Sequence, residues 1–114
     1  ACDELGVIHL QHYGKDFASS GHLYLTRIPG ARDEQRREII TKLAERGVNT
    51  NVHYKPLPMM TAYKNMGWDI KNFPNAYAYY ENLITLPLHT KLSDEDVEYV
   101  TENFKAVVSA YTSK

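Results

Sequence analysis

The sequence predicts a small two-layer α+β domain, a short and mostly antiparallel sheet with helices on one face. Three observations predict it. The chain has 114 residues, the size of one domain, and a chain that long buries roughly 65% of its unfolded surface in a single core. Short β-forming runs alternate with helical segments in the order strand, helix, strand, short helices, strand, helix. The two longest helical segments each carry one apolar stripe, so each has one side to bury.

Residues 1–21 are weakly patterned. They read as the tail of a helix (Asp3 to Leu5), an extended piece (Val7 to Tyr13) and a loop through Gly14 and Ala18-Ser19-Ser20-Gly21. His22 to Ile28 is the first clear strand, closed by Pro29-Gly30. Asp33 to Arg46 is the first clear helix: two acids suit its start, Gly47 suits its end, and Ile39, Ile40, Leu43 and Ala44 form the stripe. Val48 to His53 reads as a second strand, with Val48, Thr50 and Val52 on one face and Asn49, Asn51 and His53 on the other. Lys55-Pro56-Leu57-Pro58 is held extended, because each proline fixes its own φ and restricts the residue before it.

Met59 to Met66 is expected as a short helix, Gly67 to Phe73 as a loop, and Pro74 as the first residue of a helix reaching Leu83. Ile84-Thr85-Leu86 is a short strand stopped by Pro87. The last helix has the strongest local signature. Ser93 and Asp96 form a capping box with Asp in place of the usual Glu or Gln, and Leu92 and Val97 have hydrophobic-staple spacing. Val97, Val100, Phe104, Val107, Val108 and Tyr111 run down one side of it. Helices on one sheet face leave the other to meet solvent, a ligand or another domain.

Composition excludes several function classes. Thirteen Lys and Arg against fourteen Asp and Glu give a net charge of -1, which argues against a dedicated nucleic-acid or membrane binder. No apolar run approaches the ~20 residues that span a bilayer. Cys2 is the only cysteine, so there is no internal disulfide or multi-cysteine metal site, and a reducing, cytoplasmic compartment fits. The chain starts Ala1-Cys2-Asp3 without an initiator Met, which suits a processed protein or a piece of a longer one equally.

Most chemical motifs fail on spacing. His9 and His12 lie in the weakly patterned stretch, His22, His53 and His89 are scattered, and neither His-x3-His nor H-E-x-x-H occurs, so no metal site is expected. Cys2 at a frayed terminus and Ser19 and Ser20 in a loop lack the setting of an activated nucleophile. The six glycines are isolated, so no phosphate-cradling loop exists. Arg32, Arg36 and Arg37, interleaved with Glu34 and Glu38, read as a solvated helix face. Tyr77 and Tyr80, on one side with Ala76 and Leu83, read as packing rather than a stacking platform.

One segment stands apart. Asn49 to Pro58 (NTNVHYKPLP) puts two Asn and a His on one strand face and delivers Tyr54 and Lys55 into a proline-stiffened turn. Stiffened polar side chains suit binding; a solvent-facing strand edge explains the same residue types equally well.

The run Gly47-Val48-Asn49-Thr50-Asn51-Val52-His53-Tyr54-Lys55-Pro56-Leu57 resembles the G-[IV]-x-T-x-x-H-Y-x-P-L stretch of the DegT/DnrJ/StrS family. These are sugar aminotransferases of the aspartate-aminotransferase fold that use pyridoxal 5'-phosphate. The strand Leu23 to Ile28, the helix Arg37 to Leu43, Phe73-Pro74-Asn75-Ala76, Leu86-Pro87-Leu88 and Ser93 to Val97 follow the family order, so the likeness covers about Gly21 to Val108. The family often has a second His after P-L; Pro58 stands there, and that residue's contact is not carried over.

The resemblance implies transfer of an amino group, with glutamate the expected donor, to a nucleotide-linked keto sugar. It implies a homodimeric enzyme of which residues 22–114 are the C-terminal small domain, with residues 1–21 the junction to a missing N-terminal large domain. That domain would supply the Schiff-base Lys and the phosphate cup, so this chain alone is expected to bind no cofactor and to be inactive. None of its eight lysines lies in a Ser- or Gly-rich setting. His53, Tyr54, Asn51 and Lys55 are the implied substrate-binding residues, with His53 on sugar hydroxyls or a diphosphate oxygen and Tyr54 against the sugar. The rival readings are a free-standing α+β module that binds a metabolite or pairs with itself, and a single-stranded RNA module, disfavoured by balanced charge and the lack of an aromatic RNP-type strand.

Overall fold

The computed structural model describes residues 1–112. Its centre is a three-stranded antiparallel sheet of order β1-β2-β3, with β1 at Ile8–His9, β2 at Tyr24–Arg27 and β3 at Leu83–Leu86. The register sets Thr26 opposite Ile84 and Leu25 opposite Thr85. Side chains alternate along a strand, so Thr26, Ile28 and Ile84 share one face and Leu25, Arg27, Leu83 and Thr85 share the other. Two helices, α2 (Asp33–Glu45) and α5 (Asp94–Val108), supply Ile39, Leu43, Phe104, Val107 and Val108 to the core that covers the first face. Residues 1–21 join that core as well: α1 (Cys2–Leu5) contributes Leu5, and Val7 follows it inside. Cys2 also packs there, and burial pushes its thiol pKa up, away from thiolate chemistry.

The long helices form where their local signals place them. In α5 the Ser93 hydroxyl accepts the Asp96 N–H at 3.1 Å, and the Asp96 carboxylate accepts the Ser93 N–H at 2.9 Å. The Ser93 backbone N–H holds the Asp96 carboxyl below its ordinary pKa. In α2 the Gln35 side chain accepts the Arg32 N–H at 3.0 Å, and the chain leaves the helix at Gly47, whose φ of 75° favours a residue without Cβ.

Several expectations need correction. Val48 to His53 is not a ladder strand. It keeps the alternation, with Val48 buried and Asn49 and Asn51 exposed, but pairs with β3 at one position only, Asn51 with Thr85. The Asn51 side chain accepts the Val52 N–H at 2.7 Å, a local bond that competes with ladder pairing. The first strand spans only Tyr24–Arg27. Met59 to Met66 divides into a 3-10 turn at Leu57–Met59 and a short helix α3 at Thr61–Asn65. Helix α4 runs from Pro74 to Tyr80, and Leu83 belongs to β3. Ala44 is exposed on α2, and Val97 on α5 is 51% exposed, so Val97 borders an apolar groove with Leu92 and Val100 instead of closing the core.

The arginine run is the largest departure from a solvated face. Arg36 is only 3% exposed. Its guanidinium donates to the Tyr80 carbonyl and to Asp33, and lies 4.2 Å from the Tyr80 ring centroid. The start of α2 is thereby clasped to the end of α4. Tyr80 is buried, as packing predicts, whereas Tyr77 stays more exposed.

Candidate functional site

Asn49 to His53 runs beside β3, and Thr85 holds it there. The Asn51 N–H donates to the Thr85 carbonyl at 3.1 Å, and the Thr85 N–H donates to the Asn51 carbonyl at 2.7 Å. The Thr85 hydroxyl lies 3.0 Å from His53 Nδ1. One strand residue therefore fixes Asn51 through its backbone and His53 through its side chain. The His53–Tyr54 peptide is cis, and the Tyr54 ring stands edge-on to the imidazole, centroids 4.7 Å apart.

These contacts wall a shallow, open pocket of about 280 Å³. Asn49, Asn51, His53, His22 and Thr85 give it polar groups, and Leu86 to Leu88 give it an apolar side. Among the described residues, no Asp, Glu, Lys or Arg lines it. Such a surface offers hydrogen-bond donors and acceptors without a carboxylate, ammonium or guanidinium group, which matches a hydroxylated ligand. The Thr85 hydroxyl beside an imidazole has the spacing of a nucleophile and base. Thr85 is only 4% exposed, however, and its hydroxyl is engaged by His53 Nδ1. The contact orients the histidine.

Of the residues expected at the site, the structure brings Asn51 and His53 together in the pocket. Tyr54 is 67% exposed and, with the exposed Lys55, lies outside the lining. Thr85 was not among the expected residues. The available signal was one polar residue in the apolar strand Leu83-Ile84-Thr85-Leu86, and its meaning depends on a partner thirty-two positions away.

The other histidines do different work. His9 and His12 both stack with the Tyr24 ring, with centroids 6.3 and 5.3 Å away, and His12 Nδ1 lies 2.7 Å from the Ser19 hydroxyl. Among the described residues, no group of three or more His, Cys, Asp and Glu could hold a metal ion. No helix among them is long and apolar enough to cross a membrane.

Comparison with known proteins places this site in context. The model of the DegT/DnrJ/EryC1/StrS aminotransferase family matches residues 2–105. A solved Streptococcus pneumoniae protein assigned as a sugar aminotransferase, in its PMP form, is 56% identical with a TM-score of 0.88; the match covers 92% of this chain and 26% of that one. Its PLP form superimposes with the same score. The spore coat polysaccharide biosynthesis protein SpsC of Bacillus subtilis is 36% identical over 76% of this chain and 23% of its own length. The dTDP-3-amino-3,6-dideoxy-alpha-D-galactopyranose transaminase of Aneurinibacillus thermoaerophilus is 30% identical over 83% of this chain and 24% of its own length. The chain thus spans about a quarter of the length of each relative.

Proposed function

This chain belongs to the DegT/DnrJ/EryC1/StrS aminotransferase family, and we propose that it is the C-terminal small domain of a pyridoxal phosphate-dependent enzyme that aminates a nucleotide-linked keto sugar. The amino donor in this reading is glutamate, and the complete enzyme is a cytoplasmic homodimer. The observation that carries the proposal is the polar pocket at Asn51 and His53, built by the segment that resembles the family's G-[IV]-x-T-x-x-H-Y-x-P-L stretch.

Pyridoxal phosphate, when bound, supplies the electron sink for moving the amino group, and it needs a lysine amine that can become neutral. The lysines described here do not fit that role. The Glu38 carboxylate and the Tyr111 hydroxyl hold Lys42 protonated, above its ordinary range. Lys105 pairs with Glu4, and Lys15, Lys55, Lys64, Lys71 and Lys91 are exposed. Lys114 lies outside the described residues. We therefore assign cofactor anchoring to the part of the enzyme outside this chain and derive no step through it. This chain's own residues bind and orient: His53 and Asn51 hydrogen-bond the sugar nucleotide from the pocket, while Tyr54 and Lys55, exposed beside it, meet the parts of the ligand that project from it.

The test is turnover by the complete enzyme with glutamate and UDP- or dTDP-linked keto sugars. An aminated sugar is the expected product. His53→Ala should raise the sugar-nucleotide KM about tenfold with kcat little changed, since it removes binding made in ground and transition states alike. An unchanged KM with collapsed turnover would contradict the assignment.

A further inference from the structure

We propose that Thr85 is a positioning residue that fixes the tautomer of His53, so that this histidine meets its ligand as a hydrogen-bond donor through Nε2. The inference rests on the substrate-binding reading of His53, but its first half is about the protein alone.

Thr85 is 4% exposed, and its hydroxyl has one partner among the described residues, His53 Nδ1 at 3.0 Å. A buried hydroxyl must place its single proton on an acceptor or lose roughly the value of a hydrogen bond. If Nδ1 carried the ring proton, it would donate to the Thr85 oxygen, and the hydroxyl proton would have nowhere to go. If Nδ1 is bare, the hydroxyl donates to it and both groups are satisfied. The ring proton then resides on Nε2, which has no protein partner among the described residues and is not enclosed. The pocket thus receives an N–H, and its complement is an oxygen acceptor on the ligand.

The same residue controls ring position. Both backbone bonds of Thr85 go to Asn51, two residues before His53, so the imidazole is anchored from the main chain and from its own nitrogen by one strand position. Val48, 2% exposed, fixes the segment's other end in the core. The ring therefore has little freedom to turn, which lowers the ordering cost when ligand binds. The chemistry recognised is a carbonyl, hydroxyl or diphosphate oxygen of a nucleotide-linked sugar.

Two measurements separate this inference from the reading it rests on. The first is a two-bond 1H–15N correlation spectrum of the histidine rings in this chain. His53 should show an unprotonated Nδ1 and a protonated Nε2. Thr85→Ser should keep that pattern, and Thr85→Val, which removes the hydroxyl at similar volume, should give averaged nitrogen shifts. A protonated Nδ1 in the parent, or the parent pattern retained in Thr85→Val, would overturn the inference whatever the enzyme does. If Thr85→Val does not fold, the parent spectrum together with Thr85→Ser still decides. The second measurement is made on the complete enzyme: Thr85→Val should raise the sugar-nucleotide KM about tenfold at nearly constant kcat, with Thr85→Ser restoring most of it. A changed tautomer with an unchanged KM would refute the ligand half alone.

Discussion

Helix α5 and the segment Asn49 to Pro58 are stabilised in opposite ways. The helix is made by its neighbours in sequence: Ser93 and Asp96 cap each other across three positions, and one side of the helix is apolar at regular spacing. The segment is made by one distant residue. It lacks a ladder, its Asn51 side chain bonds to the next residue, and Thr85 supplies both the bridge and the bond to His53. Structure that arises locally can be lost in small pieces. Structure that hangs on one remote contact keeps its stability elsewhere and is free to carry polar groups that a core would reject.

Substitutions can break or sharpen this contrast. The largest effect is expected from Phe104→Ala on α5. Phe104 is 1% exposed at the junction of both long helices and the sheet. Its truncation should cost about 3–5 kcal/mol by denaturant melting, enough to unfold a domain of this size. A loss comparable to that of an exposed substitution would show that the core does not centre there.

Ser93→Ala should come next, at about 1 kcal/mol, because it leaves the Asp96 N–H without its side-chain acceptor. The cap also has a pH signature. The Ser93 backbone N–H holds the Asp96 carboxyl below its ordinary value of 3.8, so its contribution is present above that value and disappears as pH falls through the lower folded value. Melting curves below pH ~4 should show that loss, and Asp96→Asn should flatten it.

The smallest effect belongs to the segment. Asn51→Ala removes the bond to the Val52 N–H but keeps the backbone bridge to Thr85. Global stability should change by no more than about 0.5 kcal/mol. A loss as large as that of Ser93→Ala would erase the distinction between the two regions.

The same contrast explains how much could be read in advance. Both long helices, the strand at Ile84 to Leu86 and the capping box were legible because their causes lie within a few positions. The apparent strand at Val48 to His53 was half right. Its alternation reflects true burial of Val48, yet period-two spacing cannot report whether a neighbouring strand has room to pair. Arg36 was misread because its neighbours in sequence are charged, while its partner, the Tyr80 carbonyl, is forty-four residues away. At the site, His53 and Asn51 were legible as residue types carried by a motif. Thr85 was not, since a threonine in a strand is ordinary until its neighbour is known.

The clasp between Arg36 and Tyr80 has a bearing on how such chains diverge. It ties two points forty-four residues apart, so everything threaded between α3 and α4 is a detour with both feet nailed down. For a tethered detour, doubling the span adds only about 0.6 kcal/mol of closure entropy. Insertions and deletions near Gly67 and Trp68, where the chain is exposed, should therefore pass cheaply from one descendant to another, while the anchoring arginine and the strand that follows Tyr80 stay put.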